Sequence, residues 1–278
     1  MLQGLVAPLP TAQNGRWTLQ RIIVSVRARE KAQSVLEKLL GDPHGCGNAP
    51  AVELVVGNNV EAARRADVVV LTCHPHQGRE VLGVQGMEEA LAGKLLVSML
   101  GGVSVAALED SLYAESGPEI PNLGRCHILQ AIPNVAAARG KSTTVVGERS
   151  ASIPDNVLER GQEALRRIGN PILVHKDQMP AATALCASGT AFFAWFLEAM
   201  VEAAVAEGIE KGEATRMAAL TMAGAAELIE SGESPSVVTA RVTTPGGATA
   251  RGLAVLKQSE AKDTVVKALR ATTSKIRS

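Results

Sequence analysis

The chain has 278 residues, 46% hydrophobic and 20% charged, with 28 Lys and Arg against 28 Asp and Glu. That balance excludes a disordered, tail-like chain and a protein built to neutralise nucleic-acid phosphates. At ~100–200 residues per domain the length suits one large or two ordinary domains. With two Trp, one Tyr and three Phe, the core must be filled by small and branched aliphatic side chains.

No uninterrupted apolar run approaches the ~20 residues of a membrane span, so no membrane partner is expected. Residues 1–17 lack the charged head, apolar stretch and cleavage site of a secretory signal, which points to a cytoplasmic protein. Cys46, Cys73, Cys126 and Cys186 show no paired spacing. They read as reduced thiols rather than disulfides, and no metal site is expected.

From residue 21 to 174 short β-branched runs alternate with helical stretches. Strands are expected at 21–25, 51–56, 67–72, 95–98, 127–130, 143–146 and 172–174, and helices at 29–40, 60–65, 80–92, 105–112 and 155–168. Apolar strands joined by helices imply an α/β domain with a doubly wound, mostly parallel sheet covered on both faces. We assign residues 1–174 to this dinucleotide-binding, Rossmann-like domain.

After residue 174 the strand signal stops. Helices are expected at 180–209, 212–231, 235–242, 248–259 and 260–276, forming an all-α domain over 175–278. The first is apolar on every side around Phe192, Phe193, Trp195, Phe196 and Leu197. Such a helix must be covered all round. A second subunit would cover it, making the protein a homodimer or larger homo-oligomer; the core helix of a monomer is the other reading.

Between two of these helices lies a polar loop running from Val242 to Thr249, with Thr244, Pro245, Gly246 and Gly247 inside it. Pro245 stops the preceding helix, and the glycines permit backbone conformations closed to other residues. The next helix begins near Ala248, so free N–H groups and a positive dipole end meet whatever the loop holds. A carboxylate suits that place, with Thr244 and Thr249 adding hydroxyls. An interhelical turn with threonine caps fits the same spacing.

Strand ends supply the other candidates, because ligands of doubly wound sheets bind at the carboxyl edge. Ser25 and Arg27 follow the first strand and suit a 2′-phosphate, although charges opening a solvated helix read alike. Asn59, His74 with Pro75, Met99 with Leu100, and Asn134 after Pro133 stand at four further strand ends.

Residues 66–71, 98–102 (Ser-Met-Leu-Gly-Gly), 131–134 (Ala-Ile-Pro-Asn), 184–189, and above all 242–249 with 252–256 resemble pyrroline-5-carboxylate reductases, in the family's order. The resemblance implies reduction of the C=N bond of 1-pyrroline-5-carboxylate, or an alkylated analogue, to proline or a methylproline. NADPH, with NADH possible, would supply the hydride. By position, Thr244, Gly246 and Gly247 would hold the substrate carboxylate, and Thr249 would be the catalytic residue, bonded to the ring nitrogen. Ser25, Arg27 and Asn59 would hold the adenosine end of the cofactor; His74, Pro75, Met99, Leu100 and Asn134 would line the rest of it.

The family's opening strand and GxGxxG turn are not found. Residues 1–7 resemble the closing turns of its first helix, so the chain is expected to begin inside the cofactor domain and to bind NADPH weakly. A catalytically silent relative acting as an oligomerising or binding protein is the alternative. Other departures are His74 for Lys, Gln130 for Arg, Cys186 for Ser and Phe192 for Tyr. They make the pocket less polar, which fits an alkylated substrate and equally fits relaxed constraint.

Overall fold

The computed structural model describes residues 19–30, 50–114 and 124–277. The expected helix at 29–40 lies, beyond Glu30, outside the described residues, as does Cys46. The chain divides into two compact units, residues 1–187 with 276–278, and residues 188–275.

In the first unit β1 (Arg21–Val26) pairs in parallel with β2 (Ala51–Val56), Arg21 opposite Ala51 and Val26 opposite Val56. The chain then forms α1 (Asn59–Arg65), whose amino end is capped by Asn58: its Oδ1 accepts from the Glu61 N–H at 3.0 Å. At the other end Lys94 Nζ donates to the carbonyls of Ala63 and Arg64, at 2.8 and 2.7 Å. A cation on terminal carbonyls complements the helix dipole. Partial burial holds that ammonium below the usual lysine range.

A five-stranded sheet follows, ordered β3 (Val68–Leu71), β4 (Leu95–Ser98), β5 (His127–Ile132), β6 (Ser142–Gly147) and β7 (Gly169–Val174). β3, β4 and β5 are parallel, β6 runs antiparallel to β5, and β7 is parallel to β6. β4 is buried along its whole length. Its alternate side chains enter opposite cores, as a period of two requires. Leu95 and Val97 join Ile22, Val24, Leu129 and Leu165, whereas Leu96 joins Leu71, Leu91, Leu108 and Ile128. Helices cover both faces, and the doubly wound, Rossmann-like reading holds.

The helix expected at 80–92 is two short helices, α2 (Gly78–Leu82) and α3 (Met87–Leu91). Gly86, at φ 83°, turns the chain left-handed between them, a conformation that ends any right-handed helix. α4 (Val105–Leu112) starts where expected, with Ser104 Oγ accepting from the Ala107 N–H at 3.2 Å. α5 (Asp155–Arg167) lies against β4 through Gly161, where a Cβ would come within 2.3 Å of Leu95 Cδ2. The short α6 (Met179–Thr183) stays with this unit because Met179 packs against Ile132 and Val145.

The second unit is helical: α7 (Gly189–Ala206), α8 (Lys211–Glu230), α9 (Pro235–Arg241), α10 (Ala248–Gln258) and α11 (Ala261–Arg277). The single helix expected at 180–209 is interrupted by a widened π turn at Ala184–Ser188. Few side chains of this unit are buried. Trp195 is 70% exposed, Val255 64%, Leu220 62% and Phe193 59%. So much open apolar surface marks an interaction face. By length and composition the helical stretch Lys176–Ala206 could cross a membrane. Occasional polar residues break its apolar run without making the stretch hydrophilic.

Candidate functional site

In the first unit most of the expected site residues stand at strand ends. Ser25, in β1, donates its hydroxyl to Asn59 Oδ1 at 2.7 Å, joining the end of β1 to the first residue of α1. Two residues on, Arg27 Nη2 meets Glu80 Oε1 of α2 at 2.9 Å. All four residues line a cleft of about 1250 Å³ bounded by β1 and β3, which are not paired with one another among the described residues. A hydroxyl, an amide and an exposed guanidinium converging at a strand end fit a ribose and its phosphate. Glu80 was missed from sequence, because nothing in residues 78–82 shows that they meet Arg27.

His74 and Pro75 follow β3 and are exposed. The His74 N–H donates to Gln77 Oε1 at 3.3 Å, and its ring stacks on His76 with centroids 5.6 Å apart. Met99 is half-buried, and its N–H donates to the Leu71 carbonyl at 3.0 Å, binding the ends of β3 and β4. The Leu100 side chain is 1% exposed and sits in the core with Leu108, so only its backbone can meet a ligand.

Asn134 follows β5 and faces inward. Its N–H donates to Ser142 Oγ at 3.0 Å, its Oδ1 accepts from the Ala136 N–H at 3.0 Å, and its Nδ2 donates to the Cys186 carbonyl at 2.9 Å. Ser142 Oγ lies 2.9 Å from Thr144 Oγ1, and both residues are fully buried. The Asn134 side chain thus ties the π turn to the end of β5.

In the second unit the residues between α9 and α10 form a type II turn. The Thr244 carbonyl accepts from the Gly247 N–H at 2.9 Å, with Pro245 and Gly246 in the middle and Gly246 at φ 73°. Pro fits the second place of such a turn and Gly the third. A Cβ on Gly247 would lie 3.1 Å from the Thr244 carbonyl oxygen. Gly247 is the N-cap of α10, and no side chain caps that terminus. Its first amides therefore face outward with the positive end of the helix dipole. Thr215, Thr221, Thr239 and Thr243 each bond back to the carbonyl four residues earlier. Thr249 lies in the first turn of α10, where the residue four back is Pro245, outside the helix. Thr249 is exposed.

Two family models match the chain: "Pyrroline-5-carboxylate reductase dimerisation" over residues 176–278, and "NADP oxidoreductase coenzyme F420-dependent" over residues 4–102. A pyrroline-5-carboxylate reductase of Acremonium sp is 46% identical over 287 aligned positions, spanning 100% of this chain and 88% of the relative. The chain belongs to the pyrroline-5-carboxylate reductase family. As a member of that family it is an oxidoreductase. Its fold matches the family's solved structures: a Coxiella burnetii enzyme superposes with a TM-score of 0.74 at 26% identity, covering 92% of this chain and 87% of the other. A Plasmodium falciparum pyrroline carboxylate reductase with NADP bound gives 0.71 at 23% identity, covering 81% of each chain. The matched dimerisation segment contains the exposed apolar helices and the stretch Lys176–Ala206, making this an oligomerisation domain.

Proposed function

We propose that the protein reduces the C=N bond of 1-pyrroline-5-carboxylate, or of an alkyl-substituted analogue, to the corresponding proline, with NADPH as preferred reductant and as a homodimer or larger assembly. The observation that carries this reading is the Thr244–Gly247 turn opening onto the uncapped amino end of α10.

That turn suits an imino acid. The amides of the first turn of α10, beside Gly246 and Gly247, receive the carboxylate, and the Thr244 hydroxyl adds a donor. Thr249 bonds to the ring nitrogen and holds the proton that the nitrogen keeps as the bond is reduced. Bound NADPH supplies the hydride to the imine carbon. A protonated imine is already electrophilic, so holding it in place contributes much of the acceleration. No carboxylate pair or activated nucleophile is required of the chain.

Ser25, Asn59 and Arg27 receive the adenosine end of the dinucleotide, with Arg27 on its 2′-phosphate. The similarity to the pyrroline-5-carboxylate reductase dimerisation family and to the Acremonium reductase supports the substrate class, and the similarity of residues 4–102 to NADP oxidoreductases supports NADP. The test is steady-state kinetics of Thr249→Ala. Turnover falls by more than about tenfold, while the NADPH dissociation constant stays within about twofold. Unchanged turnover would remove Thr249 from the mechanism.

A further inference from the structure

We propose that Glu80 sets how strongly the protein prefers NADPH over NADH, because its carboxylate occupies the guanidinium that a 2′-phosphate would need. This rests on the placement of the adenosine ribose at Ser25, Arg27 and Asn59.

The geometry is specific. Arg27 lies just past β1 and Glu80 in the first turn of α2, 53 residues apart in sequence, and they meet at 2.9 Å. Both side chains are about two-thirds exposed, at 65% and 66%. Such a pair is weak and opens at little cost, so Arg27 remains available to a competing anion. Two other guanidiniums lining the cleft are also paired, Arg65 with Glu53 at 2.6 Å and Arg160 with Asp67 at 3.6 Å. Among these, the Arg27 pair follows directly on β1, the strand whose Ser25 hydroxyl donates to Asn59.

A 2′-phosphate reaching Arg27 must displace Glu80 and then sit close to its negative charge. An unphosphorylated ribose brings no such repulsion, and a carboxylate there accepts hydrogen bonds from ribose hydroxyls. Glu80 therefore weakens NADPH binding and leaves NADH unaffected or helped. The preference that Arg27 creates is narrowed, and NADH becomes a usable reductant.

The test is fluorescence titration of NADPH and of NADH into the full chain and its Glu80→Gln and Arg27→Ala variants, a readout of binding alone. Gln keeps the size and hydrogen bonding of Glu80 without its charge. Glu80→Gln is expected to tighten NADPH by roughly twofold to fivefold and to leave NADH unchanged or weaker. Two dissociation constants that move together, or neither moving, overturns the proposal. If Arg27→Ala abolishes the NADPH preference while Glu80→Gln changes nothing, the role of Glu80 alone fails. If Arg27→Ala leaves the preference intact, the placement of the adenosine end fails and the role of Glu80 fails with it.

Discussion

Asn134 Nδ2 donates to the Cys186 carbonyl at 2.9 Å, tying the end of β5 to a helical turn 52 residues further along the chain. A π turn interrupts the regular carbonyl-to-amide ladder, and a side-chain donor from outside steadies it. Asn134→Ala removes this bond and the one to the Ala136 N–H. We expect a loss of about 1–3 kcal/mol in urea unfolding, with the NADPH dissociation constant changing less than about threefold. A large loss of cofactor affinity at unchanged stability would instead give Asn134 the cofactor role expected from the sequence.

Gly246 stands at φ 73°, a region that costs an L side chain roughly 1–2 kcal/mol. Gly246→Ala shifts the turn and the amides behind it. KM for the imino acid should rise by about tenfold or more, with NADPH binding unaltered. Unchanged KM would separate the turn from the substrate.

The open apolar face of the helical unit tests assembly. Trp195 is 70% exposed, and Trp195→Lys places a charge where a second copy is expected to pack. Sedimentation should show a shift towards monomer with lowered thermal stability. A Trp195→Lys protein assembling as the parent does would place the interface elsewhere.

The buried Cys126 thiol gives a pH dependence with a defined sign. Burial pushes it from 9.0 up to about 12 in the folded chain. Below pH 9 the thiol is protonated in both states and its contribution is fully present. As pH rises towards 12 the unfolded chain releases its proton first, and that contribution is lost. Urea unfolding from pH 8 to 11 should show falling stability, with a shallower fall in Cys126→Ala. Parallel curves would mean that the thiol ionises equally in both states.

Much of the fold is legible in the sequence where one signal acts alone. β4 reads from a short apolar run at 95–98, and the break between α9 and α10 reads because Pro245 stops a helix and Gly246 and Gly247 permit the backbone that follows. Legibility fails where partners are distant. Nothing near Leu100 shows that its side chain fills a core, and nothing near Asn134 shows that its amide bonds to the Cys186 carbonyl. The Arg27–Glu80 pair is hidden for the same reason, since a contact across 53 residues leaves no local pattern. Gly86 carries the signal of a break, but the apolar periodicity on both sides of it reads as one continuous helix.

The most direct test of the central claim is to mix the purified chain with 1-pyrroline-5-carboxylate and millimolar NADPH and follow both the oxidation of NADPH and the formation of proline. Imine reduction predicts enzyme-dependent, one-to-one consumption of NADPH and appearance of proline, lowered by Thr249→Ala. NADPH left unoxidised with this substrate and with its alkyl-substituted analogues, by a folded and assembled protein, would contradict it.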